Sequence, residues 1–225
     1  MISRRTRTLA AALLCLALAV VAASCGKSAN QSAKGGDAEE ANVKKGVKPE
    51  PDAQAAVVET DYGRIVVELY PNLAPRMVER FKQLANEGFY NGTIFHRIDP
   101  GLGIIQGGDP LSKDANPAND GTGNSPYPNV PAEFSDVPFE RGIVGAARTG
   151  GDVNSSNCQF FIMTKRQPAF EEPGNHYIVF GRVIEGMNNV DVIANAKTAE
   201  GTEHPAPGAE ARVKSVTLVP RSNFK

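Results

Sequence analysis

The chain has 225 residues, 41% of them apolar and 22% charged, and a formal net charge of −1 at neutral pH. That length holds one domain of ordinary size with tails, and the near-zero charge leaves no electrostatic footprint for nucleic acid, which is excluded as a partner. Glycine (22) and proline (16) are frequent and tryptophan is absent, a balance that favours a turn-rich β domain over a helical bundle.

In chain order, Arg4, Arg5 and Arg7 precede an apolar run of 15 residues, Leu9 to Ala23. A membrane span needs about 20 residues, so residues 1–25 fit an export signal instead. The run ends in Ala22-Ala23-Ser24-Cys25-Gly26. Small residues directly before a cysteine resemble the bacterial lipobox, which implies lipidation at Cys25. The product is then expected to be exported and lipid-anchored to a bacterial membrane, in the periplasm or at the cell surface. Cys15 falls in the segment to be removed, so Cys158 is the one thiol left in the mature domain and no internal disulfide can form. Cys158 has no histidine near it in sequence and reads as a small packing residue. Residues 26–54 are rich in Lys, Ala, Gly, Glu and Asp with only two valines, a composition that does not build a core. They read as a tether with a reach of about 30 Å.

Folded sequence is expected over 55–221. Val57 to Thr60 and Arg64 to Tyr70 flank Asp61-Tyr62-Gly63 and predict a hairpin. Ile65, Val67 and Leu69 alternate with Arg64, Val66 and Glu68, the period of a half-buried strand. Pro75 opens an amphipathic helix with Val78, Phe81, Leu84 and Ala85 on one face, and Gly88 ends it. After a long Gly/Pro/Asn-rich loop from Asp109 to Pro131, strands are expected in Arg141–Arg148, Gln159–Met163, Tyr177–Val183 and Val213–Val219. A second helix is expected over Gly186–Ala196. With no alternation of strand and helix, the architecture is mainly β and antiparallel, a barrel or sandwich with helical caps.

The stretch Phe95 to Asp109 stands apart. It reads as two apolar strands about a Pro100-Gly101-Leu102-Gly103 turn, with Arg97 in one and Gln106 in the other. A guanidinium and a carboxamide among Ile and Phe are costly unless each finds partners, so the pair marks a candidate binding site.

Nine short pieces in order along the domain resemble the cyclophilin family of peptidyl-prolyl isomerases. They are Asp61-Tyr62-Gly63-Arg64-Ile65, Ala74-Pro75-Arg76, Gly88-Phe89-Tyr90, Phe95-His96-Arg97, Gln106-Gly107-Gly108-Asp109, Gly121-Thr122-Gly123, Gln159-Phe160-Phe161, Val179-Phe180-Gly181 and Glu185-Gly186-Met187. The resemblance implies a closed eight-stranded antiparallel β-barrel capped by two α-helices. It also implies isomerisation of Xaa-Pro bonds in proline-containing unfolded or flexible polypeptides without a cofactor; no oligomer interface is legible in the sequence, and a monomer is expected. By the same resemblance Arg97 donates to the prolyl nitrogen and Gln106 orients it. Phe161, Ile104, Leu102, Phe170 and Tyr177 line the proline pocket, while Gln159, Gly121 and the backbone at Arg148 bind the residues beside it. His96 is read as structural and Phe160 as core, because neighbouring strand residues face opposite sides. Three scattered histidines without a cysteine pair support no metal site.

Two departures stand out. One residue more than the family's usual spacing separates Arg97 from Gln106, and an extra strand residue would turn every later side chain over unless a turn absorbs it. Phe170 stands where many relatives carry Trp. The altered turn keeps open a second reading, a proline-binding chaperone or docking module of the cell envelope with little turnover.

Overall fold

The computed structural model describes residues 43–225; the expected export signal, Cys25 and the first part of the expected tether lie outside the described residues. The first hairpin joins β1 (Gln54–Thr60) to β2 (Gly63–Leu69), with Thr60 facing Gly63 across a two-residue turn. Thr60 fixes the turn from both sides: its Oγ1 accepts from Tyr62 N at 3.1 Å and donates to Gly63 O at 2.7 Å. Ile65, Val67 and Leu69 face the main core as expected. Val66 is buried as well, with Ala55 and Val57 on the opposite face, so β2 is a two-sided strand.

Helix α1 (Pro75–Asn86) follows, with proline in its first turn and Met77, Val78, Phe81, Leu84 and Ala85 buried. No local side chain caps it. Glu133, far along the chain, accepts from Arg76 N at 3.2 Å and Met77 N at 3.1 Å and satisfies two of the first-turn donors. Next come β3 (Arg97–Asp99), β4 (Ile104–Gly107), β5 (Ile143–Ala146), β6 (Phe160–Met163) and β7 (Ile178–Glu185). Helix α2 (Met187–Ala194) and β8 (Val213–Pro220) complete the chain. Helix α1 lies against β7 and β8, and α2 against β2, β3 and β4.

All eight strands share one antiparallel sheet in the order β3-β4-β6-β5-β7-β2-β1-β8. The sheet curls into a half-barrel, and the closed barrel expected from the resemblance is not shown. No ladder runs between the end strands β3 and β8. Instead the chain just before β3 meets the start of β8, with Gly92 N to Val213 O and Val213 N to Thr93 O at 2.8 Å and Phe95 N to Ala211 O at 3.0 Å. β3 itself is three residues long and pairs with β4.

Inside the curl, Phe81 packs on Phe180 and Phe160 at 5.4 and 5.7 Å, and Phe95 and Tyr90 meet the same Phe160 ring edge-on. Outside it, Phe161, Met163, Ile104, Ile143 and Val179 form a second cluster with Phe139 and Phe170. Because β6 alternates, Phe160 goes to the core and Phe161 to this outer cluster.

The folded part starts earlier than composition suggests. Val43 packs on the main core and Val47 on the outer cluster. Between and after them, Lys44 N donates to Phe134 O at 2.9 Å, Gly46 N to Asp136 Oδ2 at 2.7 Å, Glu50 N to Asn72 Oδ1 at 3.0 Å and Asp52 N to Leu69 O at 2.8 Å. Residues 43–53, assigned to the tether by composition, are therefore seated on the domain. Backbone N–H groups bonded to carbonyls and to the Asp136 and Asn72 side chains, together with two valines, hold them, not an apolar face.

Candidate active site

The turn Pro100–Gly103 settles the spacing between Arg97 and Gln106. It holds the extra residue, and the ladder around it is regular: Asp99 faces Ile104, Ile98 faces Ile105 and Arg97 faces Gln106. Gly103 closes the turn at φ 72°, a left-handed conformation that favours glycine, and its N–H reaches Asp99 O at 2.8 Å. A β-carbon there would also run into the Lys165 side chain at 2.3 Å. Gln106 in turn faces Phe161 on β6, and Phe161 faces Gly145 on β5. Arg97, Gln106 and Phe161 thus stand in one row on the outer face of the sheet. Gly145 belongs to that row because the Phe161 ring lies over it: a β-carbon at Gly145 would sit 2.3 Å from Cζ of the ring.

A small cavity of about 110 Å³ opens beside this row, lined by Arg97, Leu102, Ile104, Gln106, Ala147, Arg148, Phe161, Phe170 and Tyr177. Its aromatic wall is tightly built. Phe161 meets Tyr177 at 5.5 Å and Phe170 at 5.7 Å, and Phe170 meets Tyr177 at 4.7 Å. The Arg148 guanidinium covers the Tyr177 ring at 4.7 Å, and its Nε donates to His176 O at 3.1 Å. His176 turns the other way, onto Phe134 at 5.6 Å. Leu102 and Ile104 stand on the side of the pocket that the turn provides.

A second cavity of about 410 Å³ adjoins the first, sharing Gln106, Ala147 and Arg148, and is bounded by Gly121, Thr122, Asn124, Thr149, Ser155, Asn157 and Gln159. Hydrogen bonds connect the two. Arg97 Nη1 donates to Gln106 Oε1 at 3.4 Å, Gln106 Nε2 to Gln159 Oε1 at 3.0 Å, and Gln159 Nε2 to Gly121 O and Gly123 O at 3.0 and 2.9 Å. The loop carrying Gly121 and Gly123 is fastened by buried side chains. Asp109 accepts from Leu111 N at 2.7 Å and Gly123 N at 3.1 Å, while Asn157 accepts from Ser125 N at 2.9 Å and donates to Tyr127 O at 3.0 Å. Side chains supply the partners that a loop lacks in its own backbone.

The ten pocket residues expected from sequence therefore gather around two adjoining cavities. Spacing did not reveal Ala147, shared by both, nor two carboxylates on Arg97. Asp99 Oδ2 accepts from Arg97 Nη2 at 2.8 Å, and Glu203 accepts from Arg97 Nε. Asp99 lies two residues from Arg97 on the same strand face, a spacing that could have flagged it. Glu203 is 106 residues away and carries no local signal.

His96 is 2% exposed, and both its ring nitrogens lack a hydrogen-bond partner. Burial pushes its pKa down to about 4, against a smaller opposing pull from Asp109, so the ring is neutral at physiological pH. Cys158 is wholly buried, and burial raises its thiol pKa to about 12. It is a packing residue with no nucleophilic thiolate. No group of three or more metal-ligating side chains converges among the described residues.

What this arrangement can do is bind an apolar ring beside a guanidinium and a carboxamide, next to a groove long enough for more chain. Comparison with known proteins agrees. Residues 55–218 match the family model "Cyclophilin type peptidyl-prolyl cis-trans isomerase/CLD". A Brucella suis biovar 1 (strain 1330) protein named "Probable peptidyl-prolyl cis-trans isomerase" is 45% identical over 142 residues, which cover 61% of this chain and 70% of that protein. "Peptidyl-prolyl cis-trans isomerase-like 3" of Gallus gallus is 32% identical over 170 residues, covering 73% of this chain and 95% of its own length. Among solved structures, a Cryptosporidium parvum cyclophilin type peptidyl-prolyl cis-trans isomerase, crystallised in the presence of the dipeptide Ala-Pro, aligns with a TM-score of 0.64 at 25% identity, covering 74% of this chain and 99% of its own. With curl, helices and family model in agreement along the domain, the chain belongs to the cyclophilin-type peptidyl-prolyl cis-trans isomerase family.

Proposed function

We propose that this isomerase accelerates Xaa-Pro isomerisation in extracytoplasmic polypeptides, with Arg97 as the donor to the prolyl nitrogen and the chain acting as a monomer. The supporting observation is the row Arg97–Gln106–Phe161, which sets a guanidinium and a carboxamide at the mouth of an aromatic pocket. Amide resonance sets a barrier of roughly 18–20 kcal/mol. When the C–N bond twists, the nitrogen lone pair leaves resonance and becomes a stronger acceptor. A donor aimed at it stabilises the twisted form more than the planar one, the condition for catalysis. No bond is made or broken, so nucleophile and base are unnecessary. A barrier lowered by about 7 kcal/mol gives about five decades in rate.

In this reading the proline ring occupies the pocket of Leu102, Ile104, Phe161, Phe170 and Tyr177. The residues beside the proline lie along Gln159, Gly121 and the backbone at Arg148. Export and a lipid anchor at Cys25 follow from the lipobox resemblance in the sequence. The test of the chemistry is isomerisation of a proline peptide by the full chain and by Arg97→Ala. The variant is expected to lose about 100-fold or more in kcat/KM, the usual cost of removing one transition-state donor. Equal rates for the two proteins would sink the Arg97 mechanism.

A further inference from the structure

Arg97 is held in a way its own motif does not require. A guanidinium has five N–H groups. Three are engaged: Nε–H with Glu203, one Nη2–H with Asp99 and one Nη1–H with Gln106. The bonds to Nε and Nη2 use the side edge of the fork, which leaves one N–H on each terminal nitrogen. Those two groups are the ones free to meet a substrate.

The Asp99 carboxylate and the Glu203 backbone are each anchored. Asp99 Oδ1 accepts from Leu102 N at 2.8 Å, so one carboxylate ties the pocket's Pro-Gly-Leu-Gly turn to the guanidinium. Glu203 sits at the tip of a self-braced loop. Thr198 bridges to Pro205, Ala206 N donates to Lys197 O at 2.8 Å, and Ala199 N donates to His204 O at 2.9 Å. Thr202 Oγ1 donates to Ala199 O at 3.0 Å and accepts from His204 N at 3.2 Å. The loop is pinned to β3 next to Arg97, where Ile98 N donates to Glu203 O at 2.7 Å. An ordinary surface ion pair holds two long side chains at an entropic cost that cancels most of its gain. Here one partner's backbone is already fixed, and the charge-assisted bond adds direction.

We propose that Glu203 and Asp99 are positioning residues that clamp the side edge of the Arg97 guanidinium and aim its remaining N–H groups. The inference rests on the proposed role of Arg97 as the donor. The clamp also lets the 197–206 loop and the 100–103 turn set the aim of one catalytic group, although neither supplies it.

The experiment uses the full chain and a proline peptide, with Glu203→Ala, Glu203→Gln, Arg97→Ala and the double variant Arg97→Ala/Glu203→Ala. The Glu203 side chain is 48% exposed, so its replacement leaves the fold intact, whereas Asp99 at 9% is a poorer choice. Glu203→Ala is expected to lower kcat about tenfold with KM little changed, the scale of losing one charge-assisted bond that orients a donor. Glu203→Gln, which keeps an acceptor oxygen, recovers most of that loss. The double variant is no slower than Arg97→Ala, because the clamp acts only through Arg97. In ¹⁵N spectra the Arg97 Nε–H signal exchanges slowly in the wild type and in Glu203→Gln, and rapidly in Glu203→Ala. Wild-type kcat in Glu203→Ala overturns the clamp if Arg97→Ala is inactive. Wild-type activity in Arg97→Ala overturns the donor role and the clamp with it. A double variant slower than Arg97→Ala shows Glu203 acting by another route and also overturns the proposal.

Discussion

His96 stands beside Arg97 in the sequence yet serves the opposite purpose. Its ring is 2% exposed with neither nitrogen paired, so protonating it in place costs the desolvation of a cation, which the nearby Asp109 offsets only in part. Folded, its pKa is depressed from 6.5 to about 4. Between those values the unfolded chain binds a proton that the native protein does not, so stability is complete above about pH 6.5 and falls as the pH drops toward 4. The full difference corresponds to about 3 kcal/mol. Urea unfolding at pH 7 and pH 4.5 should show this loss, and His96→Gln should reduce the change between the two pH values. An unaltered difference in the variant would show that His96 does not carry it.

At the scale of elements, the row across β3, β4, β6 and β5 depends on one residue with no side chain. Phe161 occupies the space that a β-carbon on Gly145 would take, and it also forms the pocket wall against Phe170 and Tyr177. Gly145→Ala forces the ring to move. Overpacking of this kind costs about 1–3 kcal/mol, so the variant should unfold earlier on heating. Its KM for a proline peptide should also rise, because the displaced ring is the pocket's own wall. A wild-type KM together with a lowered midpoint would mean that the ring moved away from the pocket, not into it. The Pro100–Gly103 turn is the contrasting case. It takes up an additional residue without disturbing the register on either side, so Arg97 still faces Gln106.

For the molecule as a whole, the reading divides at Val43. Beyond it, strand alternation and the helical spacing of Val78, Phe81, Leu84 and Ala85 made most of the fold legible, because each of those elements buries one face against a single core. Val66 departs from the alternation because a second small cluster covers the other face of β2. Residues 43–53 were missed because hydrogen bonds to Phe134, Asp136, Asn72 and Leu69 hold them, and pairing of this kind leaves no periodicity in sequence. The pocket was legible through short motifs, whereas Glu203 reaches Arg97 only through the folded chain. The proposed placement at a membrane rests on Cys25 and the apolar run before it. In the full chain expressed in a bacterial host, Cys25→Ser is expected to move the protein from the membrane fraction to the soluble one. Unchanged retention would count against the anchor.

The bonds that run from Arg97 through Gln106 and Gln159 to the carbonyls of Gly121 and Gly123 all point the same way. Each carboxamide receives at its oxygen and gives at its nitrogen, so neither can rotate by half a turn without setting like groups face to face. The polarity reaches the substrate side. Gln159 has both amide hydrogens committed to the loop, Gln106 keeps one, and Arg97 keeps two. A polypeptide arriving here meets a surface that offers hydrogens and asks for lone pairs. Every peptide carries those on its carbonyl oxygens, and a twisted prolyl bond gains one on nitrogen. Such a surface reads main chain more than side chain, and in the proposed mechanism recognition of the proline falls to the aromatic pocket.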